Sequence, residues 1–309
     1  MEYLMTYGWA ILIIAVVLGA LFSIGVFNPS YFEPRAQPGI CQVYRPFGPK
    51  ISEDAILSGV CTGEIPEFVA ALNGRDAFIV LPPGKTMLSA NPGAFTMTAW
   101  IKIRGYPNGD GAYPPGMSEI FDVFKTTGNE YPDGTNTFAI GLSNNSLDYP
   151  GANYMFWASS GSNVNRYVTP ALALNRWYFV ALSSDALRSA AYVNQTNVAT
   201  FAGMQNAGLD TQRSYIGSYF WNQRLFNGSI ANVQLYNYSL DSAQITALYQ
   251  EGIGGPPIDV QYLVGWWPLN GNYTDYSGDY YNATYLSATG NPYSNDVFTS
   301  RWLNGYSVP

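Results

Sequence analysis

Few residues in this chain could do acid–base chemistry. The stretch SEIFDVFK carries Glu119 and Asp122. Two carboxyl groups flanking one glycosidic bond can hydrolyse it, one as acid and the other as base or nucleophile. That chemistry needs both groups on one face. In a regular strand successive side chains alternate, so residues three apart point to opposite sides. The stretch also lacks a tight acidic alternation. Glu119 and Asp122 therefore read as strand-edge residues, and no catalytic residue is expected. The sequence has no histidine. This excludes Ser/His/Asp and Cys/His nucleophilic sites and histidine-bearing zinc sites. Calcium is the one cofactor left open. Asp133 in YPDGTN, and Asp275 and Asp279 in YTDYSGDYYN, could offer loop oxygens to it. Each is also an ordinary turn residue. The turn reading is preferred, so no cofactor or metal is expected.

Sugar binding needs exposed aromatic rings beside planar polar groups. SYFWNQR supplies Tyr219, Phe220, Trp221 and Asn222. The same rings could pack against a neighbouring subunit, and both readings stay open. Charged residues make up only 11% of the chain, 14 basic against 21 acidic, for a net charge of −7. Phosphate binding needs clustered Lys and Arg, so nucleic acid is not an expected partner. With 25 Tyr, 31 Gly and 20 Pro, the surface must be neutral and polar. The strands it covers would be broken often, as in an all-β sandwich. Asn144, Asn194, Asn227, Asn237, Asn272 and Asn282 each open an Asn-x-Ser/Thr triplet, which agrees with glycosylation outside the cell. Cys41 and Cys61 close a short loop in a Pro- and Gly-rich region. They read as a disulfide, worth roughly 3 kcal/mol through restriction of the unfolded chain.

The elements that must position these groups follow from periodicity. In AFTMTAWIKI, Phe95, Met97, Ala99, Ile101 and Ile103 share one face, and Thr96, Thr98, Trp100 and Lys102 the other. In GSIANVQLYN, Ala231, Val233 and Leu235 are expected inward against Ile230, Asn232 and Gln234. RWYFVALSS (176–184) alternates weakly, as a strand covered on both faces would. Further strands are expected at 77–81, 136–143, 154–160, 190–195 and 213–219. LDSAQITALYQEG reads as a short helix. Asp241 caps it, Gln244 completes a capping box, Gly252 ends it, and Leu240, Ile245, Leu248 and Tyr249 dock it. The prolines of residues 28–64 forbid a helix and suggest a stiff neck. The expected domains are a hydrophobic helix over 1–27, a neck over 28–64 and a β head over 65–309.

From Tyr3 to Phe27 the chain carries no charge. As a helix, such a run would be roughly 37 Å long, enough to cross a bilayer core of about 30 Å. It lacks the basic flank and cleavage site of a secretory signal. Two readings remain, a membrane anchor or a rod that packs with copies of itself. MEYLMTYGWAILIIAVVLGALFSIGVFNP resembles the N-terminus of archaeal type IV pilin-like proteins, most specifically in Glu2, Tyr3, Thr6, Tyr7, Gly8 and Trp9. The resemblance implies a processed subunit whose helix sits in the membrane before assembly and then packs into a filament core. Glu2 would neutralise a neighbour's terminal amine, although that family carries its glutamate at the fifth mature position. Gly8, Gly19 and Gly25 would let helices approach closely.

The remainder is similar to laminin-G-like, concanavalin-A-like jelly rolls. The carrying motifs are ALNGRDAFIVLP, FTMTAWIKI, NRWYFVAL and FNGSIANVQLYNYSLDSAQITALYQEG. LVGWWPLNGNYTDYSGDYYNAT (263–284) looks like the segment that opens such domains, yet it follows the closing motif. The resemblance thus implies a circular permutation. The short loop before this segment favours pairing within its own sandwich over strand addition to a neighbour. The expected fold class is α+β, a long N-terminal helix followed by an all-β jelly roll. The expected function is a non-enzymatic subunit of an extracellular, homopolymeric pilus-like filament, with surface glycans as further partners. The alternative is a membrane-anchored, lectin-like carbohydrate-binding surface protein.

Overall fold

The computed structural model describes residues 13–17, 43–44, 52–53, 66, 68–82, 87–88, 93–105, 117–127, 131–143, 155–161, 163–166, 172–203, 214–219, 224–287 and 302–304. The strands in chain order are β1 (Val43–Tyr44), β2 (Ser52–Glu53), β3 (Phe68–Asn73), β4 (Ala77–Val80), β5 (Ala94–Ile103), β6 (Met117–Thr127), β7 (Tyr131–Ser143), β8 (Met155–Gly161), β9 (Asn163–Arg166), β10 (Trp177–Asp185), β11 (Arg188–Val193), β12 (Thr196–Ala202), β13 (Ser214–Ile216), β14 (Asn227–Tyr236), β15 (Leu263–Trp267), β16 (Thr284–Ser287) and β17 (Trp302–Asn304). β1 and β2 form a two-stranded pair of their own.

Two antiparallel sheets make a sandwich. An eight-stranded sheet runs β12-β11-β10-β5-β14-β3-β17, with β15 also pairing β14. A seven-stranded sheet runs β16-β4-β13-β6-β7-β8-β9. The alternation of β5 places Phe95, Met97, Ala99, Ile101 and Ile103 in the core between the sheets, as its sequence predicts. They meet Ile79, Phe121, Phe138, Ile140 and Ile216 of the facing sheet. Fully burying each such side chain contributes about 1.5–3 kcal/mol, before the entropy of ordering the chain.

The outer face of the eight-stranded sheet is covered by the helix Ser242–Glu251. Its N-cap Asp241 accepts from the Ala243 and Gln244 amides, and the Gln244 side chain accepts from the Asp241 amide. Leu240, Ile245 and Leu248 dock it on Trp100, Phe179, Ala181 and Tyr236. β10 is thereby covered on both faces, with Val180 and Leu182 toward the core and Phe179 and Ala181 toward the helix. The C-terminal segment completes its own sandwich: β15 pairs β14 and β16 pairs β4.

The α+β fold class is corrected. Among the described residues, helix is confined to residues 13–17, Ser242–Glu251 and the 3-10 turn Val260–Tyr262. A long N-terminal helix is not found among them, and the class is an all-β sandwich with short helices. The physical reason is that an uncharged apolar run specifies burial and not the length or type of an element. No helix of the described residues is long and apolar enough to cross a membrane. Glu2, Tyr3, Tyr7, Gly8, Trp9, Gly19 and Gly25, and the Cys41–Cys61 pairing, lie outside the described residues.

Candidate functional site

The outward face of the seven-stranded sheet carries the densest buried charge among the described residues. β6 pairs β7 with Glu119 opposite Gly141 and Phe121 opposite Ile140, so Ile120 is an extra residue. Such a bulge reverses the parity of a strand. Ile120, Phe121 and Val123 all enter the core. Asp122 lies opposite Tyr215 of β13, whose ring joins a separate outer cluster with Phe78 and Val80. Glu119 and Asp122, three apart, therefore share that outer face. This corrects two expectations, that they point to opposite sides and that they sit at a strand edge. β6 lies inside its sheet between β13 and β7, and both carboxyls are fully buried.

The connection from β13 to β14 brings Arg224 to this pair. Gly217 donates to the Ile120 carbonyl at 2.9 Å, Glu119 N–H donates to the Arg224 carbonyl at 2.8 Å, and Phe226 donates to Gly217 at 3.0 Å. The loop is thus tied to the bulge at both ends. Gly217 has φ +80, and a Cβ there would lie 2.1 Å from Leu72 Cδ1, so only glycine fits. Arg224 Nη1 donates to Glu119 Oε1 at 2.9 Å. The guanidinium carbon lies 4.2 Å from the ring centroid of half-buried Tyr219. The cluster reaches solvent through Arg224, whose side chain is 14% exposed.

Two carboxyls share one cation. Glu119 Oε2 and both Asp122 oxygens have no hydrogen-bond partner. Burial pushes the Asp122 carboxyl well above its usual range, and the Glu119 charge adds to this against the pull of Arg224. Burial also raises Glu119, to about 7, again opposed by Arg224. Near neutral pH the cluster therefore retains a proton and is close to neutral overall.

Of the sequence-predicted contact residues, Tyr219 is in this cluster. Trp221 and Asn222 lie outside the described residues. Sequence reasoning missed Arg224, whose only local signal was a rare cation ending an aromatic stretch. Among the calcium candidates, Asp275 is a buried hub. Its oxygens accept from the Trp266, Ser277 and Tyr281 amides and from Ser277 Oγ, at 2.8–2.9 Å. Asp279 is exposed, and the Asp133 side chain is outside the described residues. Among the described residues no three His, Cys, Asp or Glu side chains gather to hold a metal. Of the sequons, Asn237, Asn272 and Asn282 are exposed. Asn194 Oδ1 accepts from the Phe179 amide, Asn227 is half-buried in β14, and Asn144 lies outside the described residues.

A second buried polar cluster lies on the outer side of β14. Tyr236 Oη donates to Gln234 Oε1, Gln234 Nε2 to Asn232 Oδ1, Trp266 Nε1 to the same Asn232 oxygen, and Asn232 Nδ2 to the Gly255 carbonyl, at 2.6–3.0 Å. Asn232 has φ +49 and marks a second bulge. That bulge swaps Ile230 into the core and Ala231 out of it, while Val233 and Leu235 face inward as expected.

No curated protein matches the chain in sequence. Among solved structures, a Bacteroides ovatus protein proposed to bind carbohydrate is similar at 18% identity and a TM-score of 0.51. The match covers 71% of this chain and 58% of that one, so it spans little over half of the relative's length and shows likeness of fold alone. Domain 4 of an extracellular arabinanase from Geobacillus stearothermophilus, solved with arabinotriose, is 20% identical at a TM-score of 0.41, covering 68% of this chain and 86% of that one. A heptameric SAP-like pentraxin from Limulus polyphemus is 18% identical at a TM-score of 0.38, covering 60% and 88%. The type IV pilin likeness of the front segment, and the archaeal source it implied, receive no support from these comparisons. The jelly-roll likeness does. The family model of concanavalin A-like lectins and glucanases matches residues 73–246, from the end of β3 into the closing helix, and by that match over more than half its length the chain belongs to the concanavalin A-like lectin/glucanases superfamily.

Proposed function

We propose that this protein is a lectin-like module that binds neutral glycans on its Tyr219–Arg224 face and does not cleave them. The observation that carries the reading is the Arg224 guanidinium laid on the Tyr219 ring and bonded to the buried Glu119 carboxylate. A flat aromatic face suits the apolar C–H face of a sugar, and a guanidinium is a planar donor group of the kind that hydrogen-bonds sugar hydroxyls. Because Arg224 is balanced by the pair beneath it, the face carries little net charge. An overall charge of −7 further disfavours acidic sugars.

The same carboxyls argue against hydrolysis. A glycosidase needs both groups open to the bond they flank. Here Glu119 is ion-paired and neither carboxyl reaches solvent. An extracellular location is supported by the exposed sequons Asn237, Asn272 and Asn282. The filament-subunit reading has nothing in this fold or its relatives to carry it.

The test is titration of the full chain with soluble neutral glucan, mannan, galactan and arabinan, with reducing-end release measured in parallel. Binding of at least one, lost in Tyr219→Ala and in Arg224→Gln with melting curves confirming folded variants, supports the reading. Reducing ends released in proportion to protein would overturn the non-catalytic part. Binding to none of the four would overturn the whole.

A further inference from the structure

The turn that follows β15 exposes aromatic rings on a scaffold far stiffer than an ordinary loop. Asp275 gathers it, receiving three backbone amides and one hydroxyl on a single carboxylate. The Asp275 amide in turn donates to Asn282 Oδ1 at 2.9 Å. On this frame Tyr276 is 52% exposed and Tyr280 is 74% exposed. Tyr276 meets the half-buried Trp266 ring edge-on at 6.0 Å, and its hydroxyl accepts from Asn272 Nδ2 at 3.1 Å. Tyr280 stands at φ +59, a left-handed conformation unfavourable for a residue with a bulky side chain. A chain seeking only to turn here would use glycine or asparagine. Exposed rings on a hydrogen-bonded turn, Tyr280 at an unfavourable backbone angle, point to a contact surface.

We infer that Trp266, Tyr276 and Tyr280 form a second glycan platform, for the C–H face of a neutral pyranose or furanose in a polysaccharide. The inference rests on the carbohydrate-binding reading but uses different residues. The surroundings choose the occupant. The tyrosine hydroxyls offer hydrogen bonds around the rings. The only charged residues of the 266–282 segment are Asp275, buried with its oxygens engaged, and exposed Asp279. An anionic sugar would therefore meet a carboxylate and no cation from this segment. Because the hub fixes the rings beforehand, stacking loses little side-chain entropy. The first platform lies on the outer face of the seven-stranded sheet. The second lies beside β15 of the eight-stranded sheet. One chain would thus grip two places on a polysaccharide, or bridge two strands of it, and gain avidity without any new contact.

The experiment compares Tyr276→Ala/Tyr280→Ala with Tyr219→Ala in the full chain. Isothermal titration with short neutral oligosaccharides reads stoichiometry, and retention on the immobilised parent polysaccharide reads avidity. The expected result is two sites in the native chain and one in each variant, with retention weakened about 10- to 100-fold in either. Tyr280→Gly should also lose the second site while melting no lower than the native chain, since glycine accepts the left-handed backbone; that separates binding from folding. Stoichiometry of one, unchanged in the Tyr276/Tyr280 variant and abolished in Tyr219→Ala, would overturn this inference and leave the first reading intact. Binding abolished in the Tyr276/Tyr280 variant and unchanged in Tyr219→Ala would support this platform and overturn the first. No binding by the native chain would overturn both.

Discussion

The two outer faces of the sandwich each bury a polar cluster, and the two clusters are built on opposite principles. On the eight-stranded sheet, Asn232, Gln234, Tyr236 and Trp266 are neutral, and the hydrogen bonds among them form one connected chain. On the seven-stranded sheet, Glu119, Asp122 and Arg224 are charged, and three carboxylate oxygens have no partner. A connected neutral network stiffens a core. An under-satisfied charged cluster costs stability and persists where something other than packing maintains it. The contrast separates a satisfied polar cluster from an under-satisfied one without reference to any ligand, and it has measurable consequences.

The largest effect should come from Arg224→Met. It keeps the apolar stem over Tyr219 but removes the only cation bonded to the carboxyl pair among the described residues. Stranding buried charge in this way costs about 3–5 kcal/mol. The loss should be largest near pH 8 and shrink toward pH 5, below the raised value of Glu119, where less buried charge is stranded. Chemical denaturation at the two pH values checks this. An equal loss at both would show that Arg224 matters for packing alone.

The native protein should itself depend on pH in the same direction. Both carboxyls are raised in the folded state, Glu119 to about 7 and Asp122 further, so the folded chain holds protons that the unfolded chain releases. Stability from these groups is complete below about pH 4 and declines as pH rises through 7. Asp122→Asn removes one titrating group and should flatten this decline. It should stabilise the fold at pH 8 by on the order of 1–3 kcal/mol, and by less at pH 5. The pH dependence of the melting temperature, native against variant, is the measurement. A native profile rising between pH 5 and 8 would sink the description of the pair.

The neutral cluster should behave otherwise. Gln234→Leu removes the link between Tyr236 and Asn232 and should cost about 1–3 kcal/mol. The cost should be the same at pH 5 and pH 8, because no member titrates there. Burial raises the Tyr236 hydroxyl above its usual value, far from that window. A pH-dependent cost would mean that the two clusters are coupled through the core.

Which parts of this molecule were legible in the sequence follows from where its strands are regular. β5 has no irregularity against β10, and its alternation alone assigns all five inward residues. A bulge at Ile120 of β6 and another in β14 break the alternation: at Glu119 and Asp122 in one, at Ile230 and Ala231 in the other. A bulge is a fact of pairing between strands, and no local residue pattern announced these two. Arg224 was invisible for a related reason, since it bonds a residue 105 positions away. The closing helix was readable in detail because Asp241, Gln244 and Gly252 act on their own backbone neighbours. The front segment shows the reverse: its apolar composition left anchor and rod open, the rod rested on a resemblance to pilin-like proteins, and the described residues are organised by strands.

The smallest effect tests whether the neutral side behaves as ordinary structure down to its edge. Asp241 Oδ1 accepts the amides of Ala243 and Gln244, both at 2.9 Å, at the exposed start of the helix that covers the neutral network. Asp241→Ala leaves those amides to water and should cost about 1 kcal/mol. The helix shields Trp100, Phe179 and Tyr236, so fraying at its start should quicken hydrogen exchange there first. Exchange on the seven-stranded sheet should stay unchanged, because the cap touches neither Arg224 nor the carboxyl pair. Faster exchange at Asp122 and Tyr215 in this variant would show that the two outer faces open together, and the charged cluster could then no longer be treated as an independent unit.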